Sequence, residues 1–288
     1  MKMFRRLRRK SPAEKAVHIL VSIVFMAVAL SYIYILVWAV ISGCKTHEEV
    51  VMDAFSLPEK WHWEHFGQVI SMLKVNGHGF WEMLCNSIYF SVACVFVQQL
   101  VSITFAYCVA KYKFPGSKLI YTVVMVVITL PIYGSSGAAY NLYHRLGLID
   151  SYGQIVGSFN GFNLYFLYYL AFFKSVSGTY AEAAKIDGAD HFKTYWKIIF
   201  PQAKPIFGAM FLTEWIQVWN SYESALVYLP NKPTLPVGIY QFNTEMIYSA
   251  RLDILFAACV IITIPALILF IVFNKTITTS VSVGGIKG

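Results

Sequence analysis

Long stretches without a single Asp, Glu, Lys or Arg dominate this chain: Ala16–Cys44, Asn86–Ala110, Leu119–Tyr143, Ser151–Phe173 and Ile254–Asn274. A sixth, Pro205–Leu229, is interrupted only by Glu214 and Glu223. Crossing the hydrocarbon of a bilayer takes about 20 mainly apolar residues, and each stretch supplies them. Helices are the expected form, because their backbone groups pair within one segment and leave none bare in lipid. The useful part of the fourth stretch begins near Ile155, after a polar, glycine-rich opening. The third carries Pro131 and ends in Gly134-Ser135-Ser136-Gly137, where a bend or break is expected. Only 13% of the 288 residues are charged and 57% are hydrophobic. A soluble body carries about one quarter charged residues, and a disordered chain needs low hydrophobicity. The sequence therefore predicts an all-α, polytopic membrane protein with six transmembrane helices.

The basic residues orient the bundle. Most of the 23 Lys and Arg fall in four segments that six crossings place on one side. The tail holds Lys2, Arg5, Arg6, Arg8, Arg9, Lys10 and Lys15, and the second-to-third connection holds Lys111, Lys113 and Lys118. The fourth-to-fifth connection holds Lys174, Lys185, Lys193, Lys197 and Lys204, and the C-terminal tail holds Lys275 and Lys287. The positive-inside rule puts that side, with both termini, in the cytoplasm. A net charge of +8 then reflects topology and implies no nucleic acid, since the basic residues are dispersed. A cleaved signal peptide is not expected, because the first apolar run is long enough to span and no small-residue cleavage site closes it. The resulting organisation is a basic tail at 1–15, a first span at 16–44, an extracytoplasmic segment at 45–83 and a five-helix core at 84–274. A cytoplasmic loop at 177–204 lies within that core, and a C-terminal tail occupies 275–288.

The extracytoplasmic segment is rich in Glu and Asp and carries Trp61, Trp63 and Trp81, as interfacial aromatics would. His62 and His65 flank Glu64, but two histidines without two further ligands are more simply surface residues, and no metal is assigned. His78 and His144 have no evident partner in the sequence. The five cysteines show neither disulfide nor zinc spacing.

One connection departs from the general apolar pattern. Ala181-Glu182-Ala183-Ala184-Lys185 is strongly helix-forming, Gly188 can stop that helix in left-handed geometry, and Asp190 is a natural N-cap for a second. Pro201 and Pro205 are expected to end the second helix and start the fifth span. Such a helix–turn–helix suits either an interfacial helix anchored by Tyr195 and Trp196 or a docking element whose small residues allow close approach.

Glu182-Ala183-Ala184, Asp187-Gly188-Ala189, Ile198 and Pro201 together resemble the "EAA" loop of permease subunits in bacterial binding-protein-dependent ABC importers. The likeness is to the carbohydrate-uptake branch, in particular its shorter maltose-type subunits. It extends through Asn86-Ser87, Ala106-Tyr107, Phe114-Pro115-Gly116, Leu130-Pro131, Trp219-Asn220, Thr234-Leu235-Pro236-Val237-Gly238 and Gly285-Ile286-Lys287-Gly288. Ser177, Phe200, Ser221 and Glu223 depart from the family pattern. The resemblance implies the type I ABC importer transmembrane fold and a non-catalytic chain in the bacterial cell membrane. It also implies a second permease subunit, two ABC ATPase subunits that use ATP and Mg, an extracytoplasmic solute-binding protein and a sugar substrate. The sequence itself has no Gly-x-x-x-x-Gly-Lys-Ser/Thr phosphate loop, so no cofactor is assigned to this chain. Glu182, Ala183, Ala184, Asp187, Gly188 and Ala189 are then the residues that couple to the ATPase.

Two polar stripes are candidates for a solute route. Ser87, Ser91, Cys94, Gln98 and Ser102 recur at helical spacing in the second span, and Thr213, Gln217, Asn220 and Ser224 do so in the fifth, beside Glu214. Small polar residues also mediate helix packing, and that reading suits the second span better. In the fifth, Glu214 favours a pathway, because an ionisable residue inside a span is usually functional or paired. An ion-coupled carrier is the alternative function, yet it calls for several intramembrane acids or repeated halves. An intramembrane enzyme calls for clustered nucleophiles or metal ligands, and none is evident.

Overall fold

The computed structural model describes residues 12–112, 114–130, 135–248 and 251–283, with side chains omitted at 135–136, 247–248 and 273–283. The basic residues at 2–10, Lys113, Pro131, Gly134 and the final 285–288 motif lie outside the described residues. The chain is mostly helical and divides into two compact units.

The first unit comprises the described residues up to Met72 together with Phe242–Ile261. It opens with helix α1 (Pro12–Gly43), followed by α2 (His47–Met52) and α3 (Glu64–Met72). No residue of the most apolar window of α1 is buried, as expected of a helix that is hydrophobic all round. Its last residue makes a close approach: a Cβ on Gly43 would meet the backbone nitrogen of Ala257 at 3.0 Å. Thr46 and Glu49 form a reciprocal capping box that starts α2. The backbone N–H groups of Thr46 and Glu59 hold the Glu49 carboxyl below the usual carboxylate range.

His62 and His65 are not the plain surface residues expected from their spacing. His65 is buried, with Nδ1 donating to the Gly43 carbonyl at 3.0 Å and Nε2 lying 3.6 Å from Asp253. His62 stacks on it with ring centroids 5.2 Å apart and bonds Glu64 at 2.7 Å. The pair thus fastens segments of the fold together. Among the described residues no group of three or more His, Cys, Asp or Glu gathers to hold a metal.

The second unit comprises Leu73–Gln241 and the described residues from Ile262. Strands β1 (Lys74–Val75) and β2 (His78–Gly79) pair antiparallel around Asn76 and Gly77, both at positive φ, as a two-residue hairpin turn requires. His78 finds a partner in Glu82 at 2.7 Å. Next come α4 (Phe80–Lys111), α5 (Ser117–Thr129), α6 (Ser135–Arg145), a 3₁₀ turn at Tyr152–Ser158 and α7 (Leu164–Ser175). The fourth stretch yields a helix of 12 residues, because Asn163 caps it by accepting from the Phe166 N–H at 3.0 Å. Beyond α7 lie α8 (Thr179–Ile186), α9 (His191–Thr194), a π turn at Tyr195–Ile199, α10 (Phe200–Asn220), α11 (Glu223–Tyr228), α12 (Leu235–Tyr248) and α13 (Leu252–Val283).

Among the described residues, α1, α4 and α13 as far as Val272 are long and apolar enough to cross a membrane. The other expected spans are the shorter α5 and α7 and the more polar α10. The core of the second unit forms where α4 packs on α7 and α10, with Ile103, Ala106, Phe166, Phe173, Ile199 and Ala203 buried.

Candidate functional site

The loop singled out by sequence folds into two helical turns set at an elbow. Helix α8 ends as its residues dictate: Gly188 sits at φ 75°, its N–H bonding the Lys185 carbonyl at 3.1 Å. The Ala189 N–H reaches back to the Ala184 carbonyl at 2.9 Å. These two bonds make a Schellman stop, which needs a residue tolerant of left-handed backbone. Asp190 then caps α9, its carboxylate accepting from the Lys193 N–H at 2.6 Å.

The prolines do not act as expected. Pro201 lies in the first turn of α10 and Pro205 inside it, and helix runs without interruption from α9 through the π turn into α10. In the π turn the Phe200 N–H bonds the Tyr195 carbonyl five residues back. This wider turn, immediately before Pro201, accommodates the missing N–H and the bulk of the ring. The second half of the elbow, from α9 onward, and the expected fifth span are therefore one continuous helical rod.

Side chains outside the expected set tie this rod, and the chain leading into α8, to the end of α4. Tyr195 is buried and shares a 2.9 Å hydrogen bond with Thr104 of α4, and its ring packs 4.7 Å from that of Tyr107. Lys111 donates to the Val176 carbonyl at 2.6 Å, and Tyr112 bonds His191 at 3.1 Å. Between α4 and the elbow lies an open cleft of about 470 Å³, with Lys111, Tyr112, Glu182, Lys185, Asp190 and His191 on its walls.

The expected coupling residues divide by face. Glu182, Ala183, Asp187 and Gly188 are exposed, Ala189 is half-buried, and Ala184 is 3% exposed, turned into the chain. The elbow also carries two large apolar side chains into the open: Ile186 is 86% exposed and Phe192 73%. Sequence reasoning passed over both. Their signal was an apolar residue at the tip of a turn, where packing within one helix cannot cover it.

The polar stripes also part company. In α4, Ser87, Ser91, Cys94 and Ser102 are buried. Trp215 donates to Ser91 at 2.9 Å, the Leu235 N–H to Ser87 at 2.7 Å and Asn163 to Ser102 at 2.7 Å. Gln98 is half-buried. This stripe packs helices together. In α10, Glu214 is buried and accepts a hydrogen bond from Gln99, which in turn accepts from the Tyr169 hydroxyl. Three helices meet at that relay. Thr213, Gln217 and Asn220 lie on a different, exposed face, and Thr213 and Asn220 bond back to the carbonyls of Ala209 and Ile216 in their own helix. Ser224 falls beyond the end of α10, on α11. Trp215 and Trp219, which an open pathway could use for stacking, are instead buried against each other at 4.9 Å.

Comparison with known proteins places this geometry in context. Residues 101–283 match the family of binding-protein-dependent transport system inner membrane components. The diacetylchitobiose uptake system permease protein of Streptomyces coelicolor is 27% identical over 255 residues, covering 86% of this chain and 82% of that protein. An arabinooligosaccharide transport system permease protein of Bacillus subtilis is 24% identical, covering 97% and 99%. In structure, one chain of a bacterial ABC transporter involved in import of the acidic polysaccharide alginate aligns with a TM-score of 0.71. That alignment spans 92% of this chain and 98% of the other at 23% identity. The fold is that of a type I ABC importer permease. With its family model covering most of the chain, including the elbow and the α10 and α13 helices, the chain belongs to the binding-protein-dependent transport system inner membrane components.

Proposed function

We propose that this chain is the permease subunit of an ATP-driven importer for a sugar or oligosaccharide, and that its elbow docks on an ATPase subunit. Relatives named for diacetylchitobiose, arabinooligosaccharide and trehalose uptake support the substrate class. The observation that carries the docking is the elbow itself. A rigidly capped turn presents Ile186 and Phe192 to the outside, while the exposed Glu182 and Asp187 supply polar contacts around them. Large exposed apolar residues rimmed by polar ones mark a protein contact.

In this scheme the chain contributes no catalysis. A second permease subunit completes the pathway, two ATPase subunits hydrolyse ATP with Mg on the cytoplasmic side, and a solute-binding protein delivers substrate from outside. Both termini face the cytoplasm. Closure of the ATPases moves the elbow, and the uninterrupted rod from α9 into α10 carries that displacement into the spans as a rigid-body motion. The exposed face bearing Thr213, Gln217 and Asn220 is the candidate solute route, whereas Glu214 holds helices together. The test is reconstitution of the complete transporter in vesicles. ATP-dependent uptake of an oligosaccharide that requires the binding protein supports the proposal; uptake by this chain alone, driven by an ion gradient, overturns it.

A further inference from the structure

The first unit contains a second exposed apolar surface that coupling does not use. Within one short segment, Val51 is 57% exposed, Met52 86%, Phe55 77% and Leu57 69%. The segment folds back beside α1: the Trp38 indole N–H donates to the Ala54 carbonyl at 2.7 Å, and the Phe55 ring lies 6.4 Å from that of Trp38. Trp38 precedes the end of α1 by five residues, which at 1.5 Å per residue is about 7.5 Å. Helical side chains also lean toward the N-terminus, so Ala54 sits well inside the end of a helix that is apolar on every side.

The backbone of the segment is closed on itself. Asp53 accepts from the N–H groups of Phe55 and Ser56 at 3.3 and 3.2 Å. The Asp53 carbonyl receives the buried Lys45 ammonium at 2.7 Å and the Ser56 hydroxyl at 3.1 Å. Glu49 takes the Glu59 N–H at 2.8 Å. Backbone groups bonded within the segment and apolar side chains turned outward suit irregular backbone at a lipid boundary, and the exposed carboxylates of Glu48, Asp53 and Glu59 keep it at the headgroup level. The neighbouring Trp61 and Trp63 are exposed and stacked 5.7 Å apart, as suits the headgroup level.

We propose that Val51, Met52, Phe55 and Leu57 form an apolar finger seated at the headgroup–acyl boundary of the outer leaflet. Its partner is zwitterionic phospholipid, because Glu48, Glu49, Asp53 and Glu59 outnumber Lys45 and Lys60 around it and would repel an anionic surface. The finger fixes the depth of the first unit in the bilayer. It does not depend on the identity of the transported solute.

The experiment places a spin label, through a genetically encoded ketone amino acid, at Met52 or Leu57 of the full chain. The complete transporter is held in phosphatidylcholine nanodiscs, and collisions with oxygen and with a water-soluble nickel chelate are compared. Oxygen accessibility at least threefold above that of nickel at both positions is the expected result. Greater nickel accessibility would put the finger in water, and low accessibility to both would put it under another protein. Either result overturns the proposal. A photo-cross-linking benzoylphenylalanine at Phe55 adds an independent readout by mass: a phosphatidylcholine adduct supports the finger, and an adduct with another subunit or with the binding protein refutes it.

Discussion

The elbow and the helix junction around Glu214 invert the usual logic of a soluble protein, each in its own way. At the elbow, large apolar side chains stand in the open on a scaffold locked by Schellman and N-cap bonds. At the junction, a carboxyl, an amide and a phenol are hidden and bonded to one another between helices. In a soluble protein both arrangements are costly. In a membrane subunit the first marks a surface awaiting a partner, and the second is how helices cohere where lipid offers no polar groups. Exposure identifies contact, and buried polarity identifies cohesion.

If that contrast is right, charge introduced at Ile186 should have the largest effect. Ile186→Asp should weaken capture of the ATPase by at least about tenfold, since burying one aliphatic side chain contributes about 1.5–3 kcal/mol. Co-purification with the ATPase at a series of concentrations measures it, and wild-type retention would remove the elbow from the interface. Next in size is Gly188. A Cβ there meets no atom within 4 Å, so the penalty for a substitution is backbone strain at φ 75° rather than a clash. Gly188→Val should abolish most transport-coupled ATPase activity while membrane insertion persists. Gly188→Asn, which tolerates left-handed backbone, should keep most of it. Equal loss in both variants would mean that side-chain bulk, not turn geometry, matters.

The junction should respond differently. Glu214→Leu leaves Gln99 with an unmet buried donor and should lower the melting temperature of the detergent-solubilised complex, by an amount equivalent to about 1–3 kcal/mol. Glu214→Gln keeps a hydrogen-bonding side chain and should leave uptake within about twofold of wild type. A large loss of uptake in Glu214→Gln with normal thermal stability would return Glu214 to the solute pathway. The smallest effect is expected for Thr104→Val, which removes one interhelical hydrogen bond to Tyr195. About 0.6–2 kcal/mol is at stake, read as looser coupling of uptake to ATP hydrolysis rather than as loss of assembly.

How far the sequence could anticipate these regions follows from what each depends on. The elbow was legible because its signals are local: Gly188 for the left-handed stop, Asp190 for the cap, alanines for the helix between. The apolar stretches were legible for the same reason. The unbroken passage through Pro201 was not, because a π turn depends on how Tyr195 and Ile199 pack against α4 and α7. The burial of His65 depends on the Gly43 carbonyl and Asp253, far apart in sequence. Glu214 was recognisable as unusual, but whether it faces a pathway or another helix turns on Gln99, more than one hundred residues away. Short-range chemistry is written in order along the chain; partner choice across helices is not.

Site-specific photo-cross-linking from Ile186 in the assembled transporter tests the central claim most directly. The elbow account predicts an adduct with the ATPase subunit whose yield changes between nucleotide-free and ATP-bound states. An adduct with phospholipid at this position, unaltered by nucleotide, would contradict it.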